Sequence, residues 1–155
     1  MTSIGFRAFS GCSGLTSIKI GNGIKDILYH AFAECPDLTD VYCYAETVPT
    51  TDRFAFNEYG VVSATLHVPE SAIESYKNTE PWSGFQNIVA IEPIKGDANS
   101  DYNVDSDDIT ELANAIVGKA SDKYKIETAD IDNDGIVDAT DLTKLIEILL
   151  KRQKE

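Results

Sequence analysis

Two twelve-residue stretches decide how this chain is read: DANSDYNVDSDD at residues 97–108 and DIDNDGIVDATD at residues 130–141. The second follows the first at an offset of 33 residues, from Asp97 to Asp130. Each puts an oxygen-bearing side chain at its first, third, fifth, ninth and twelfth positions. These are Asp97, Asn99, Asp101, Asp105 and Asp108 in one stretch, and Asp130, Asp132, Asp134, Asp138 and Asp141 in the other. The spacing suits an ion: Ca²⁺ takes about 6–8 hard oxygen ligands at about 2.3–2.6 Å, and a tight loop can turn alternate side chains around it. The seventh position contributes its backbone carbonyl, so Asn103 and Ile136 join the set whatever their side chains. Two bound Ca²⁺ are expected.

The residues behind each loop are also written twice. Ile109, Leu112, Ala113 and Ile116 match Leu142, Leu145, Ile146 and Leu149, each set at the i, i+3, i+4, i+7 spacing of one apolar helix face. A lone Asp-rich stretch is often only a solvated turn. Two in register, each leading into the same helix pattern, are not.

An ordinary EF-hand has a helix entering the loop and Glu at the twelfth position, whereas here Gly96 and Ala129 precede the loops and Asp closes them. Loops without an entering helix, Asp108 and Asp141 at the twelfth position, Val104 and Val137 at the eighth, and the tandem copy together resemble type I dockerin domains. The resemblance runs from residue 96 to about residue 151. It implies a small all-α fold with two EF-hand-like calcium loops, the two loop–helix halves packed antiparallel about a pseudo-twofold axis. It implies a short helix between them at Ser121–Ile126, and a cohesin-type protein as partner. One residue departs from the pattern: Tyr102 stands at the sixth position, where the turn favours Gly, so the first site is expected to bind less tightly.

By the same resemblance, the partner is read through the tenth and eleventh loop positions and the flank of the following helix. Ser106-Asp107 in the first half adds a charge that an interface would have to desolvate, whereas Ala139-Thr140 in the second offers a small, partly apolar contact. Ile148, off the apolar stripe, with Lys144, Lys151 and Arg152 around it, completes an apolar centre with a basic rim. The expected partner face is therefore Ala139, Thr140, Ile148, Lys144, Lys151 and Arg152.

Upstream, a second repeat appears. Ile4-x3-Ala8-Phe9-x2-Cys12-x2-Leu15-Thr16-x-Ile18 recurs 23 residues on as Ile27-x3-Ala31-Phe32-x2-Cys35-x2-Leu38-Thr39-x-Val41. That period fits a solenoid with one short strand per turn, here at Leu15–Ile20 and Leu38–Cys43. These residues resemble BspA-like leucine-rich repeats, and Leu66 to Glu70, Tyr76, Trp82, Phe85 and Ile88 resemble the segment that closes such arrays. The expected organisation is a truncated α/β leucine-rich-repeat solenoid with its C-terminal cap at 1–95, then the dockerin-like domain at 96–155, with Lys95-Gly96 as a short, stiff joint.

Residues 44–65 match neither pattern and read as a long loop with a turn at Asn57-Glu58-Tyr59-Gly60. With only two repeats, and an opening at Thr2-Ser3-Ile4-Gly5 that looks like mid-repeat, the chain reads as part of a longer parent whose signal lies upstream.

Cys12 and Cys35 hold equivalent positions and are expected in a buried apolar ladder, and Trp82 as a packing anchor. His30 aligns with Arg7 at an outward position, which argues against a Cys/His nucleophile pair. The three cysteines, Cys12, Cys35 and Cys43, have no metal-type spacing. No catalytic constellation is present in the sequence.

The net charge is −13, and residues 97–155 carry 15 Asp/Glu against 7 Lys/Arg. Such a surface repels phosphate backbones and anionic lipid, so neither nucleic acid nor membrane insertion is expected. Multivalent cations are the natural counterpart. The reading is a non-enzymatic, calcium-dependent attachment module on an extracellular or cell-surface bacterial repeat protein. Two alternatives stand beside it: an adhesin whose repeats do the binding, and the anchoring end of a larger hydrolase.

Overall fold

The computed structural model describes residues 1–56 and 63–152. They fall into two compact units, Met1–Ile91 and Glu92–Glu155. The turn expected at Asn57–Gly60 lies outside the described residues.

The first unit is built from short strands: β1 (Ser3–Ile4), β2 (Ser17–Ile20), β3 (Asp26–Ile27), β4 (Asp40–Cys43), β5 (Thr50–Thr51), β6 (Thr65–Val68) and β7 (Asn87–Ala90). They form two parallel sheets, ordered β1-β3-β5 and β2-β4-β6-β7. Parallel pairing follows from the repeat, because each repeat carries the chain back to its starting side before the next strand begins. The 23-residue period sets the register, with Ile4 opposite Ile27 and Ile18 opposite Val41. Alternation then turns Ile18 and Ile20 inward and leaves Ser17 and Lys19 outside.

A third repeat occupies part of the stretch expected to be a long loop. Thr51 pairs with Ile27, Leu66 pairs with Val41, and Phe32 N–H donates to Ala55 O at 2.7 Å, as Phe9 N–H does to Ala31 O at 2.8 Å. Ala55-Phe56 thus repeats Ala31-Phe32, and the rings of Phe9, Phe32 and Phe56 stack at 5.3 and 5.5 Å. Trp82 closes this column as expected. It is fully buried, meets Phe56 and Tyr76 edge-on, and its Nε1–H donates to Pro49 O at 3.3 Å. A short helix, α1 (Ile73–Lys77), holds Tyr76, whose hydroxyl donates to Ala45 O at 2.8 Å.

The cysteine ladder is not a buried one. Cys12 is exposed and Cys35 partly buried, while Cys43 alone is enclosed, and burial pushes its thiol up. Equivalent repeat positions differ because β1 and β2 are edge strands, each paired on one side only. Phe9 is 43% exposed for the same reason, against 2% for Phe32.

The second unit holds α2 (Ser106–Ile116), α3 (Ile126–Ala129) and α4 (Ala139–Arg152). Its core is small: Ala98, Val104, Leu112, Ala129 and Leu145, with Ile94, Ile109, Leu142 and Leu149 partly buried against it. The expected apolar stripes are narrower than their spacing implied. Leu112 and Leu145 are enclosed, but Ile116 and Ile146 are more than a third exposed.

The intervening helix begins at Ile126, where it was expected to end. Residues from Ser121 instead turn, with Lys123 N–H on Ser121 Oγ at 3.3 Å, and Ser121 N–H is held by Glu111 Oε1 at 2.6 Å. The residues read as a joint are bound into this unit. Lys95 Nζ donates to Asp130 O, and Gly96 N–H donates to Thr128 O at 2.8 Å. Gly96 has φ +92, and a Cβ there would meet Leu145 Cδ1 and Val104 Cγ1 at 3.1 Å. No helix among the described residues is long and apolar enough to cross a membrane.

Candidate metal-binding loops

The two acidic stretches fold into the same hydrogen-bonded loop. Asp101 N–H donates to Asp97 Oδ1 at 3.0 Å and to Asn99 Oδ1 at 2.9 Å; Asp134 N–H donates to Asp130 Oδ1 at 3.2 Å and Asp132 Oδ1 at 3.3 Å. Tyr102 N–H reaches Asp97 Oδ2 at 2.9 Å, and Gly135 N–H reaches Asp130 Oδ2 at 3.0 Å. Asn103 and Ile136 N–H groups each donate to the carboxylate two residues back, at 2.8 Å. Short acidic side chains bond readily to nearby N–H groups, and here that habit rolls each loop around its carboxylates.

Two backbone positions per loop are left-handed: Ser100 (φ 56) and Tyr102 (φ 68), then Asn133 (φ 59) and Gly135 (φ 86). The strain expected at Tyr102 is therefore present. The fourth position carries a similar requirement, met in the second loop by Asn, which tolerates it better than Ser.

The ninth and twelfth positions serve the helices as well. Asp105 caps α2 by accepting from Asp107 N–H at 2.8 Å, while Asp108 Oδ2 accepts from Asp105 N–H at 2.8 Å, a reciprocal capping box. Asp138 accepts from Thr140 N–H at 2.7 Å, and Asp141 Oδ2 from Asp138 N–H at 3.0 Å. The other oxygens of Asp108 and Asp141 reach back to hold the loop at Asn99 N–H, 3.1 Å, and at Ile131 N–H, 2.7 Å. Each twelfth-position carboxylate thus ties loop, cap and helix together. Spacing alone marked these residues as ligands and left their capping role unread, although an acidic pair three apart before a helix pattern is itself a signal.

Asp97, Asp108 and Asp141 are buried. Burial pushes Asp97 up to about 6, against the N–H groups of Tyr102 and Asp101. Burial also raises Asp108, against the N–H groups of Asp105, Asn99 and Ala98. At Asp141 burial acts the same way, but the N–H groups of Asp138, Asp132 and Ile131 outweigh it and hold the carboxyl below its usual range.

The donor set fits a hard cation. Carboxylate oxygens of Asp130, Asp132 and Asp134 lie within 4.8 Å of one another, about the span across a sphere of ligands at calcium distance. Asn99 replaces Asp132 in the first loop, leaving Asp97 and Asp101 as the carboxylates of the corresponding triplet.

Of the expected partner-face residues, Ala139, Thr140, Lys151 and Arg152 are exposed and Ile148 is partly buried. Two cations there are engaged: Arg152 Nη1–H donates to Val104 O at 3.2 Å, and Lys144 Nζ to Asp132 Oδ2 at 2.9 Å. That bond to Asp132 also raises Lys144 above the usual range for lysine.

The family described as "BspA type Leucine rich repeat region (6 copies)" matches residues 1–92, and that described as "Dockerin type I domain" matches residues 95–150. No curated protein and no solved structure matches the chain. The parallel strands of the first unit and the paired acidic loops of the second agree with those two matches: the chain belongs to the BspA-type leucine-rich-repeat family and carries a type I dockerin domain behind the repeats.

Proposed function

We propose that residues 92–155 form a calcium-dependent attachment module holding a cohesin-type protein, joined to a short leucine-rich-repeat solenoid on an extracellular or cell-surface bacterial protein. Two Ca²⁺ ions are held, one by Asp97, Asn99, Asp101, Asn103 (carbonyl), Asp105 and Asp108. The other is held by Asp130, Asp132, Asp134, Ile136 (carbonyl), Asp138 and Asp141. The carrying observation is the repetition, bond for bond, of one carboxylate-centred loop that also caps a helix.

Calcium supplies the charge that lets so many carboxylates share two loops. The chain's own residues set the loops, cap α2 and α4, and so orient the helix faces. The partner face is Ala139, Thr140 and Ile148, with Lys151 and Arg152 at its rim. Neither family module is catalytic in itself, so the output is binding.

The test is capture of immobilised cohesin domains by the full chain, with calcium and with chelator. Calcium-dependent retention that Ala139→Asp removes supports the reading. Equal retention under chelator overturns it.

A second reading has its own observation. Lys19, Tyr42 and His67 lie side by side on the outer face of β2, β4 and β6. Tyr42 stacks on His67 at 4.2 Å, and His67 Nε2 pairs with Asp40 Oδ1 at 2.9 Å. Such a row suits an adhesin whose repeats make the contact, and Tyr42→Ala would then abolish binding to its target while Ala139→Asp would not.

A further inference from the structure

The two loops each carry five Asp, but they place them differently, because Asp107 of the first lies outside the ligand positions. At the five side-chain positions the first carries four carboxylates and Asn99, whereas the second carries five carboxylates. A second difference lies further along: Glu111 in the second turn of α2 corresponds to Lys144 in the second turn of α4, 33 residues on. Glu111 Oε1 accepts from Ser121 N–H at 2.6 Å. Lys144 instead pairs with its loop's third position, its Nζ 2.9 Å from Asp132 Oδ2.

The atoms correspond closely. Asn99 Oδ1 and Asp132 Oδ1 each accept the N–H two residues on, at 2.9 and 3.3 Å. What remains is the Asn99 amide nitrogen, which donates to Asp101 Oδ2 at 3.4 Å, and, in its place, Asp132 Oδ2 bound to an ammonium. At the ligand positions, five carboxylates and one ammonium in the second loop sum to the same charge as the four carboxylates of the first.

We infer that Lys144 is a charge-compensating residue of the second loop, making the Asp132–Lys144 pair the ionic equivalent of Asn99 and holding calcium affinity there below what five carboxylates would give. This rests on the reading of the loops as calcium sites. A cation one side chain removed from a bound divalent ion opposes it by an amount that water and salt reduce but do not abolish. Lys144 is also 42% exposed, so removing its charge leaves the packing of α4 in place.

The experiment is calcium titration of the full chain by calorimetry, for the unaltered protein, Lys144→Met, Asp132→Asn and the double variant, at low and high ionic strength. Lys144→Met is expected to tighten one of two binding steps about threefold to tenfold at low salt and less at high salt. In the Asp132→Asn background the same change should do little, because the ammonium has lost its partner. Unchanged or weaker calcium binding by Lys144→Met, with two steps intact in the unaltered protein, overturns the inference and leaves the loop reading standing. Absence of calcium binding by the unaltered protein overturns both.

Discussion

The two units are stabilised by different means. In the repeats, Ile18, Ile27, Phe32, Val41, Leu66, Val68, Tyr76 and Trp82 belong to one continuous buried cluster. Among the described residues of the second unit the buried apolar set is Ala98, Val104, Leu112, Ala129 and Leu145, and Asp97, Asp108 and Asp141 are buried as well. The first is a hydrophobic stack. The second spends its interior on hydrogen-bonded acid, which is costly to bury without a counter-charge. Stability should therefore be intrinsic in one and conditional in the other.

The largest expected effect comes from the smaller core. Leu145→Ala should remove about 2–5 kcal/mol by lost burial and cavity formation. A core whose buried apolar residues, among those described, are five with two of them alanine cannot absorb that, so the helical signal of the second unit should be lost even in calcium. Leu66→Ala carries a similar local cost, yet the repeats should stay folded in hydrogen-exchange measurements. Equal tolerance in both units would break the contrast.

A step below this, Gly96→Ala should destabilise the second unit by about 1–3 kcal/mol, since the added Cβ meets Leu145 and Val104 at 3.1 Å and the backbone is left-handed. Denaturant midpoints taken with saturating calcium would check it. The repeats should not respond.

How much of this was legible in the sequence depended on how local the signal was. The acidic loops and the helices behind them were read from spacing, because each ligand lies within twelve residues of the others. The third repeat was missed because Thr51 stands where Ile27 does and no Cys or Leu follows at the repeat's spacing; only Ala55-Phe56 marks it. The burial of Cys12 was misjudged because a repeat pattern describes an interior position and cannot see an edge. Lys144 was read as part of a partner rim, since nothing in a linear sequence joins it to Asp132, twelve residues back across the loop.

Acidity sharpens the comparison with a distinctive sign. In chelator, Asp97 binds a proton more readily folded than unfolded, between its ordinary 3.8 and about 6. Its contribution to stability is thus full below 3.8 and lost as pH rises through about 6. Asp108 acts in the same direction and Asp141 in the opposite one. The metal-free second unit should accordingly be more helical near pH 4.5 than near pH 7, whereas calcium, which needs ionised ligands, should reverse the slope. A circular-dichroism series with and without calcium that shows the same slope in both would contradict this.

The smallest effect lies between the loops. Tyr102 at φ 68 costs on the order of 1 kcal/mol relative to Gly, so the first site should be the weaker. Asp141→Ala should remove the tighter calorimetric step and Asp108→Ala the weaker one, and Tyr102→Gly should narrow the gap. Loss of the tight step in Asp108→Ala would reverse the assignment.

The central claim, that calcium holds the second unit together while the repeats need none, is tested most directly by hydrogen exchange on the full chain before and after chelation. The account predicts that amides of α2 and α4 lose protection under chelator and regain it with calcium, while those of β2, β4 and β6 keep theirs throughout. Undiminished protection of α2 and α4 without calcium, or equal loss in both units, would contradict it.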